Sequence, residues 1–175
     1  MRRNPKLLFF VMVSIAVVGA LPSTAEAGLS LNADMNVGVV TSGGGPLGDV
    51  GSGIGGRIGY RANVGVFSIT PELGGSYLRL NQVETPMRGV VGARVALRGV
   101  VQPSIFAHYG LAIVQRDVGG PTYDLGGAVD FSASIVKVGV HAGYVAVQST
   151  LDRGVYSVYT PLNWVELGMH AGLGF

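Results

Sequence analysis

The stretch Glu166-Leu167-Gly168-Met169-His170-Ala171-Gly172-Leu173-Gly174-Phe175 decides how the rest of the chain is read. Counting back from Phe175 in steps of two gives Leu173, Ala171, Met169, Leu167 and Val165, while Gly174, Gly172, His170, Gly168 and Glu166 fall between them. Side chains on a strand point to opposite faces with period two, so this segment has one greasy face and one that is small or polar. Such a strand belongs at a boundary between an apolar and a polar medium. Which medium lies outside sets the function class.

The same alternation recurs in seven earlier segments. Leu29 to Val39, Ile54 to Ala62 and Phe67 to Tyr77 each carry apolar residues at odd or even steps, opposed by polar ones or glycine, and Met87 to Leu97 does so against Arg88, Val90, Gly92, Arg94, Ala96 and Arg98. Tyr123 to Phe131 and Val136 to Tyr144 do likewise. Ile105 to Ile113 is less clean, because Phe106 shares the face of His108, Gly110 and Ala112. The 29 glycines follow no G-X-Y period, and many fall inside these alternations. In a helix each would cost about 1 kcal/mol relative to alanine, so strands at close quarters explain them better.

Met1 to Ala27 reads as a cleaved secretory signal peptide. Arg2, Arg3 and Lys6 form a basic start, Leu7 to Leu21 an apolar run too short for a spanning helix, and Ala25-Glu26-Ala27 a small-x-small cleavage pattern. Its removal takes three of twelve cations and one of ten anions, leaving nine of each. A neutral remainder gives no electrostatic reason to expect nucleic acid as partner. The sequence holds no cysteine, so neither disulfides nor thiolate metal sites are available. Gly28 to Phe175 is then one domain's worth of chain.

Connection lengths alternate as well. Long polar or glycine-rich loops are predicted over Val40 to Gly53, Leu78 to Pro86, Val114 to Thr122 and Ala146 to Pro161, with short turns near Asn63, Gly99 to Gln102 and Ser132 to Ile135. Short periplasmic turns, longer outer loops and an even strand number are the pattern of an outer-membrane barrel. The charges favour the same orientation. With the apolar faces outward, Arg57, Arg61, Arg88, Arg94, Arg98 and Lys137 point inward, as do Asp34, Glu72, Asp124, Asp130 and Glu166. In a narrow lumen these form a mutually satisfied charge network; facing hydrocarbon, each Arg or Lys would cost roughly 2–4 kcal/mol at mid-depth. Tyr60, Phe67, Phe131 and Phe175 fall near one rim and Tyr77 and Tyr123 near the other, as interfacial girdles would. Pro71 cannot donate to a ladder and requires a bulge or an unpaired position.

From Gly28 to Phe175 the chain resembles the small bacterial outer-membrane β-barrel superfamily, which includes the membrane domain of outer membrane protein A and the OmpX and OmpW types. The resemblance rests on the amino-terminal segment, the eight-segment meander and the run from Trp164-Val165-Glu166 to Leu173-Gly174-Phe175. It implies a bacterial outer-membrane location, with outer-membrane lipid, lipopolysaccharide and the outer-membrane insertion machinery as partners. Met169, Ala171, Leu173 and Phe175 look like the carboxy-terminal insertion signal of that superfamily. The segments Ile69 to Gly74 and Pro103 to His108 look like patterns recurrent among its members and imply no activity.

Three features invite a chemical reading. Gly51-Ser52-Gly53-Ile54-Gly55-Gly56 has the GxGxxG spacing of a dinucleotide site, but an alternating strand follows where the mechanism needs a helix N-terminus. His108, His141 and His170 lie on polar faces at similar distances from the strand ends, where imidazoles bind a metal, relay protons or simply hydrogen-bond within the lumen. No ligand-spacing motif supports a metal, so plain hydrogen bonding is the reading adopted. A lipid deacylase would need a serine and histidine exposed to lipid, and the alternation sends these histidines inward. Trp164 faces inward near the outer end, as a filler of the lumen.

The expected product is all-β: a signal peptide over residues 1–27, then an eight-stranded antiparallel up-and-down transmembrane β-barrel over 28–175. Eight strands leave a bore that side chains fill, so a plugged polar lumen is expected, with a structural, surface-contact or adhesion role through the loops. No catalytic residue, cofactor, metal or nucleic acid is expected, and the barrel is expected to be monomeric. A narrow pore for small or hydrophobic solutes, a soluble periplasmic carrier and a lipid-modifying enzyme are the alternatives.

Overall fold

The computed structural model describes residues 27–43, 46–81, 86–115, 118–152 and 157–175. The predicted signal segment therefore lies outside the described residues, except for Ala27, which opens the first strand. Eight strands follow one another: β1 (Ala27–Gly43), β2 (Val50–Val64), β3 (Phe67–Leu80), β4 (Met87–Leu97), β5 (Val101–Gln115), β6 (Val118–Ala133), β7 (Val136–Asp152) and β8 (Ser157–Gly174). Each pairs antiparallel with the next, and β8 pairs with β1 to close the barrel. Closure leaves no edge of unpaired backbone groups.

The period-two pattern sets the faces as read from the sequence. Met35, Ile54, Leu73, Ile105, Leu125, Val140 and Leu167 are each more than half exposed on the outer wall, whereas Asp34, Glu72, Arg88, Arg94, Asp130 and Lys137 are buried inside. Soluble monomers rarely expose an apolar patch beyond a few hundred Å². Here the patch encircles the molecule. The less regular fifth segment follows the rule too, with Phe106 buried and Ile105 and Leu111 exposed. Tyr60, Phe67, Phe131 and Phe175 are exposed toward the end that carries the termini, called here the lower end, and Tyr77 and Tyr123 are exposed on the upper part of the wall.

The lower turns are tight. Gly65 and Ser134 take left-handed backbone conformations with φ of 60° and 56°, as two-residue hairpin connections demand. Each turn is also tied to the next hairpin: Arg98 N–H donates to the Val66 carbonyl at 2.9 Å, Ser132 N–H to Val100 at 2.9 Å and Gly174 N–H to Ile135 at 2.8 Å. Pro71 sits where pairing lapses. The β2–β3 ladder omits Tyr60 and Arg61 opposite Pro71 and Thr70, and resumes in the same register without a bulge.

The long upper loops expected from the sequence are mostly strand. β1 runs to Gly43 and β2 starts at Val50, β5 and β6 are separated only by residues 116–117, and β7 and β8 only by 153–156. Among the short turns, Gln102 belongs to β5 rather than to a connection. Backbone pairing requires a neighbouring strand but not two different media, so the ladders continue above the apolar belt. There the polarity inverts: Val40, Leu78, Leu80, Val145, Val147, Leu162 and Trp164 are buried inside, while Thr41, Ser52 and Arg79 face out. A β-bulge between Val40 and Ser42 sits at this level. Gly38 makes room for the buried cluster, because a Cβ there would lie 2.9 Å from Leu78 Cδ2 and 3.1 Å from Trp164 Cδ1. The sequence placed Trp164 correctly but not the hydrocarbon plug around it.

Candidate functional site in the lumen

Below the plug, charged side chains from seven strands point into the bore, and two of them meet over one aromatic ring. Phe106 of β5 has the Arg94 guanidinium over its face at 5.3 Å and that of Arg57 at 5.8 Å, while His108 stacks on it with centroids 5.4 Å apart. The ring's negative faces attract cations, so an inward phenylalanine serves as a seat for two guanidiniums rather than as a defect in the alternation. Nothing in the alternation marks Phe106 as that hub.

The carboxylates complete the network. Glu72 receives Arg94 Nε at 3.1 Å and faces His108 Nε2 at 3.2 Å, with Arg57 Nη1 at 3.9 Å. Arg57 also donates to Asp34 through a close hydrogen bond. On the opposite side, Arg88 bridges Asp124 at 3.4 Å and Glu166 at 3.2 Å, and its guanidinium lies 5.1 Å from the Trp164 ring. Trp164 Nε1 donates to Glu166 at 3.4 Å, so the plug is fastened to the charges beneath it. Lower down, Asp130 is fully buried and meets Lys137 Nζ at 3.2 Å and Arg94 at 3.8 Å. A buried charge is tolerated only when paired and hydrogen-bonded; Glu72, Asp124, Asp130 and Glu166 each have more than one partner, and Asp34 has Arg57.

Two predicted members differ in placement. Arg61 lines the lower mouth with Asn63 and Lys137 rather than the centre of the bore. Arg98 is placed at the lower mouth, beside Arg61, Asn63 and Gln102, rather than within the bore. It follows the last residue of β4, is exposed at the lower rim, and donates to the Gly65 carbonyl at 3.1 Å. The alternation in the sequence runs one step past Leu97, where the strand ends. Without Arg98 the bore holds Arg57, Arg61, Arg88, Arg94 and Lys137 against Asp34, Glu72, Asp124, Asp130 and Glu166, an even balance.

The histidines divide into one and two. His108 is held between Asp124, at 2.6 Å from Nδ1, and Glu72 at Nε2. His141 and His170 meet across the β7–β8 pair with their Nδ1 atoms 3.3 Å apart, and His170 Nε2 lies 2.6 Å from Asp130. Phe106 separates the two groups, edge-on to His141 at 6.4 Å. All these ring partners are carboxylates or another imidazole. The GxGxxG stretch lies within β2, in extended backbone. Met169, Ala171, Leu173 and Phe175 are exposed on the outer wall.

Free space at the centre of the bore is small. The central cavity, between Asp34, Arg57, Arg88, His108, His141 and Glu166, has a volume of about 30 Å³, room for a single water or ion. At the lower mouth a vestibule of about 260 Å³ opens beside Arg61, Lys137 and the carboxy terminus.

No protein-family model matches the sequence, and no curated protein matches it either. Among solved structures, Neisserial surface protein A is similar over 85% of this chain and 99% of its own, at 14% identity and a TM-score of 0.58. Outer membrane protein AlkL, determined in lipid bilayers, aligns over 88% of this chain and 92% of its own at 12% identity and a TM-score of 0.49. A designed transmembrane β-barrel aligns over 82% and 94% at 14% identity and a TM-score of 0.41. The likeness to the Neisserial protein is one of fold: this chain has the fold of the small eight-stranded outer-membrane barrels.

Proposed function

We propose that the protein is an integral barrel of the bacterial outer membrane whose bore is closed, and that it acts through its rims and outer wall as a structural or surface-contact element. The filled bore carries this reading. A hydrocarbon plug spans the upper end, and the ionic network beneath it leaves only about 30 Å³ at its centre. Residence in lipid is supported by the apolar belt, which would be unsustainable in water over such an area. Outer-membrane lipid and lipopolysaccharide are then the partners of the wall, and the exposed Met169, Ala171, Leu173 and Phe175 are the face offered to the insertion machinery. The histidine nitrogens are engaged by carboxylates or by one another, and the reading assigns the protein no catalysis.

Planar-bilayer recording of the purified, folded protein tests the closed bore. The expected trace is flat at physiological salt. Steady conductance steps would replace this reading with that of a narrow pore.

A further inference from the structure

The register of β7, β8 and β1 brings four donor side chains to one place. Asp34 is directly opposite His170 in the β1–β8 ladder, and Gly168 is opposite both Asn36 and His141. Because Gly168 has no side chain, Asn36 and His141 crowd into the space above it: a Cβ there would lie 2.6 Å from both Asn36 Oδ1 and His141 Cε1. Ligand atoms of Asp34, His141 and His170 all lie within 4.8 Å of one another, and all three residues are buried.

The hydrogen bonds around this group leave it short of an electropositive partner. His170 Nε2 is directed at Asp130 Oδ1 at 2.6 Å, and His141 Nε2 faces Glu166 Oε1 at 3.7 Å. With the ring N–H on Nε2 in each case, facing these carboxylates, the two Nδ1 atoms present lone pairs to each other across 3.3 Å. Asn36, more than nine-tenths buried, has an Oδ1 that accepts no hydrogen bond from a described group. Asp34 gives one oxygen to Arg57 and keeps a second.

We propose that Asp34, Asn36, His141 and His170 form a binding site for a first-row divalent transition metal ion of the zinc type. Two imidazole nitrogens on one tetrahedral zinc at about 2.0–2.1 Å stand roughly 3.4 Å apart, which matches the separation of the two Nδ1 atoms without rearrangement. The carboxylates behind the rings supply the carboxylate–histidine–metal relay that fixes tautomer and raises ligand basicity. Nitrogen with oxygen donors suits zinc, nickel or copper ahead of magnesium or calcium, which take oxygen alone. His108 is not part of the site, since both its nitrogens are taken by Asp124 and Glu72.

The test uses the folded protein in detergent micelles, stripped with chelator and titrated with zinc chloride by calorimetry. One ion per chain is expected. His141→Gln and His170→Gln should each weaken binding by more than the roughly 10–100-fold expected for Asp130→Asn, which removes only an orienting partner, and His108→Gln should leave affinity unchanged. In parallel, nitrogen-15 spectra of the histidine-labelled wild type, which need no variant to fold, should show zinc shifting the Nδ1 resonances of two of the three imidazoles. Absence of stoichiometric uptake, uptake that survives both His141→Gln and His170→Gln, uptake lost in His108→Gln, or unmoved Nδ1 resonances would each overturn the site. In that event a shared proton is what joins the two rings.

Discussion

Below Trp164 the bore is filled by ion pairs, whereas above it Val40, Leu78, Leu80, Val145, Val147 and Leu162 fill the same cylinder with hydrocarbon. The outer wall is apolar around the charges and stays so beside Trp164, where Val39, Tyr144 and Val165 are exposed, and Thr41 and Arg79 face out higher up. One continuous set of ladders therefore serves two amphipathic arrangements of opposite sense. The alternation of a strand reports the pair of media at that height, not the fold. The interior of the upper part is packed like that of a water-soluble barrel and the interior of the lower part is its inverse, and the change falls near the level of Trp164.

The two interiors should fail differently. Glu72→Ala has the largest expected effect, because it leaves Arg94, Arg57 and His108 around a vacated buried site. Breaking a buried pair by removing one partner costs about 3–5 kcal/mol, and three partners on one carboxylate put this case at the upper end. Urea unfolding in detergent micelles, followed by the fluorescence of the single tryptophan, measures it. A loss below about 1 kcal/mol would mean that water reaches these guanidiniums and that the lower bore is wet.

Trp164→Ala comes next, at about 3–4 kcal/mol, from lost burial plus the cavity left among Leu78, Val40 and Val145. It removes no charge. Its cost should therefore depend less on salt than that of Glu72→Ala, and circular dichroism follows the unfolding once the fluorophore is gone. An effect as small as that of a surface substitution would show the plug to be loose.

How much of this the sequence displays depends on the level. Between Leu29 and Val39, or Leu167 and Phe175, each step of two alternates greasy with polar, so strand, face and orientation all follow from counting. Around Val40, Leu78, Val145 and Leu162 the apolar residues move to the inner face, the pattern appears broken, and residues paired in ladders read as loop. The charge network is legible as a set of inward positions. Its pairings are not, because Arg88 reaches Glu166 across 78 positions of sequence and Glu72 meets His108 across 36, and only the closed register supplies those distances. The meeting of His141 with His170 follows from adjacent strands, whereas the vacancy at Gly168 that admits Asn36 beside them appears only once the register is known.

Arg98→Ala has the smallest expected effect and bears most directly on where the network ends. The alternation of β4 runs through Arg88 and Arg94 to Arg98, and by counting alone all three belong to the same inner face. The strand stops at Leu97, however, and the exposed Arg98 side chain turns at the rim toward the Gly65 carbonyl. An exposed residue of this kind changes stability by about 0.5 kcal/mol or less on truncation. Measured beside Arg94→Ala under the same unfolding conditions, the pair should differ by several-fold in free energy. If the two substitutions cost the same, β4 extends at least one residue further than its ladder indicates, and the lower bore carries one more cation than anion.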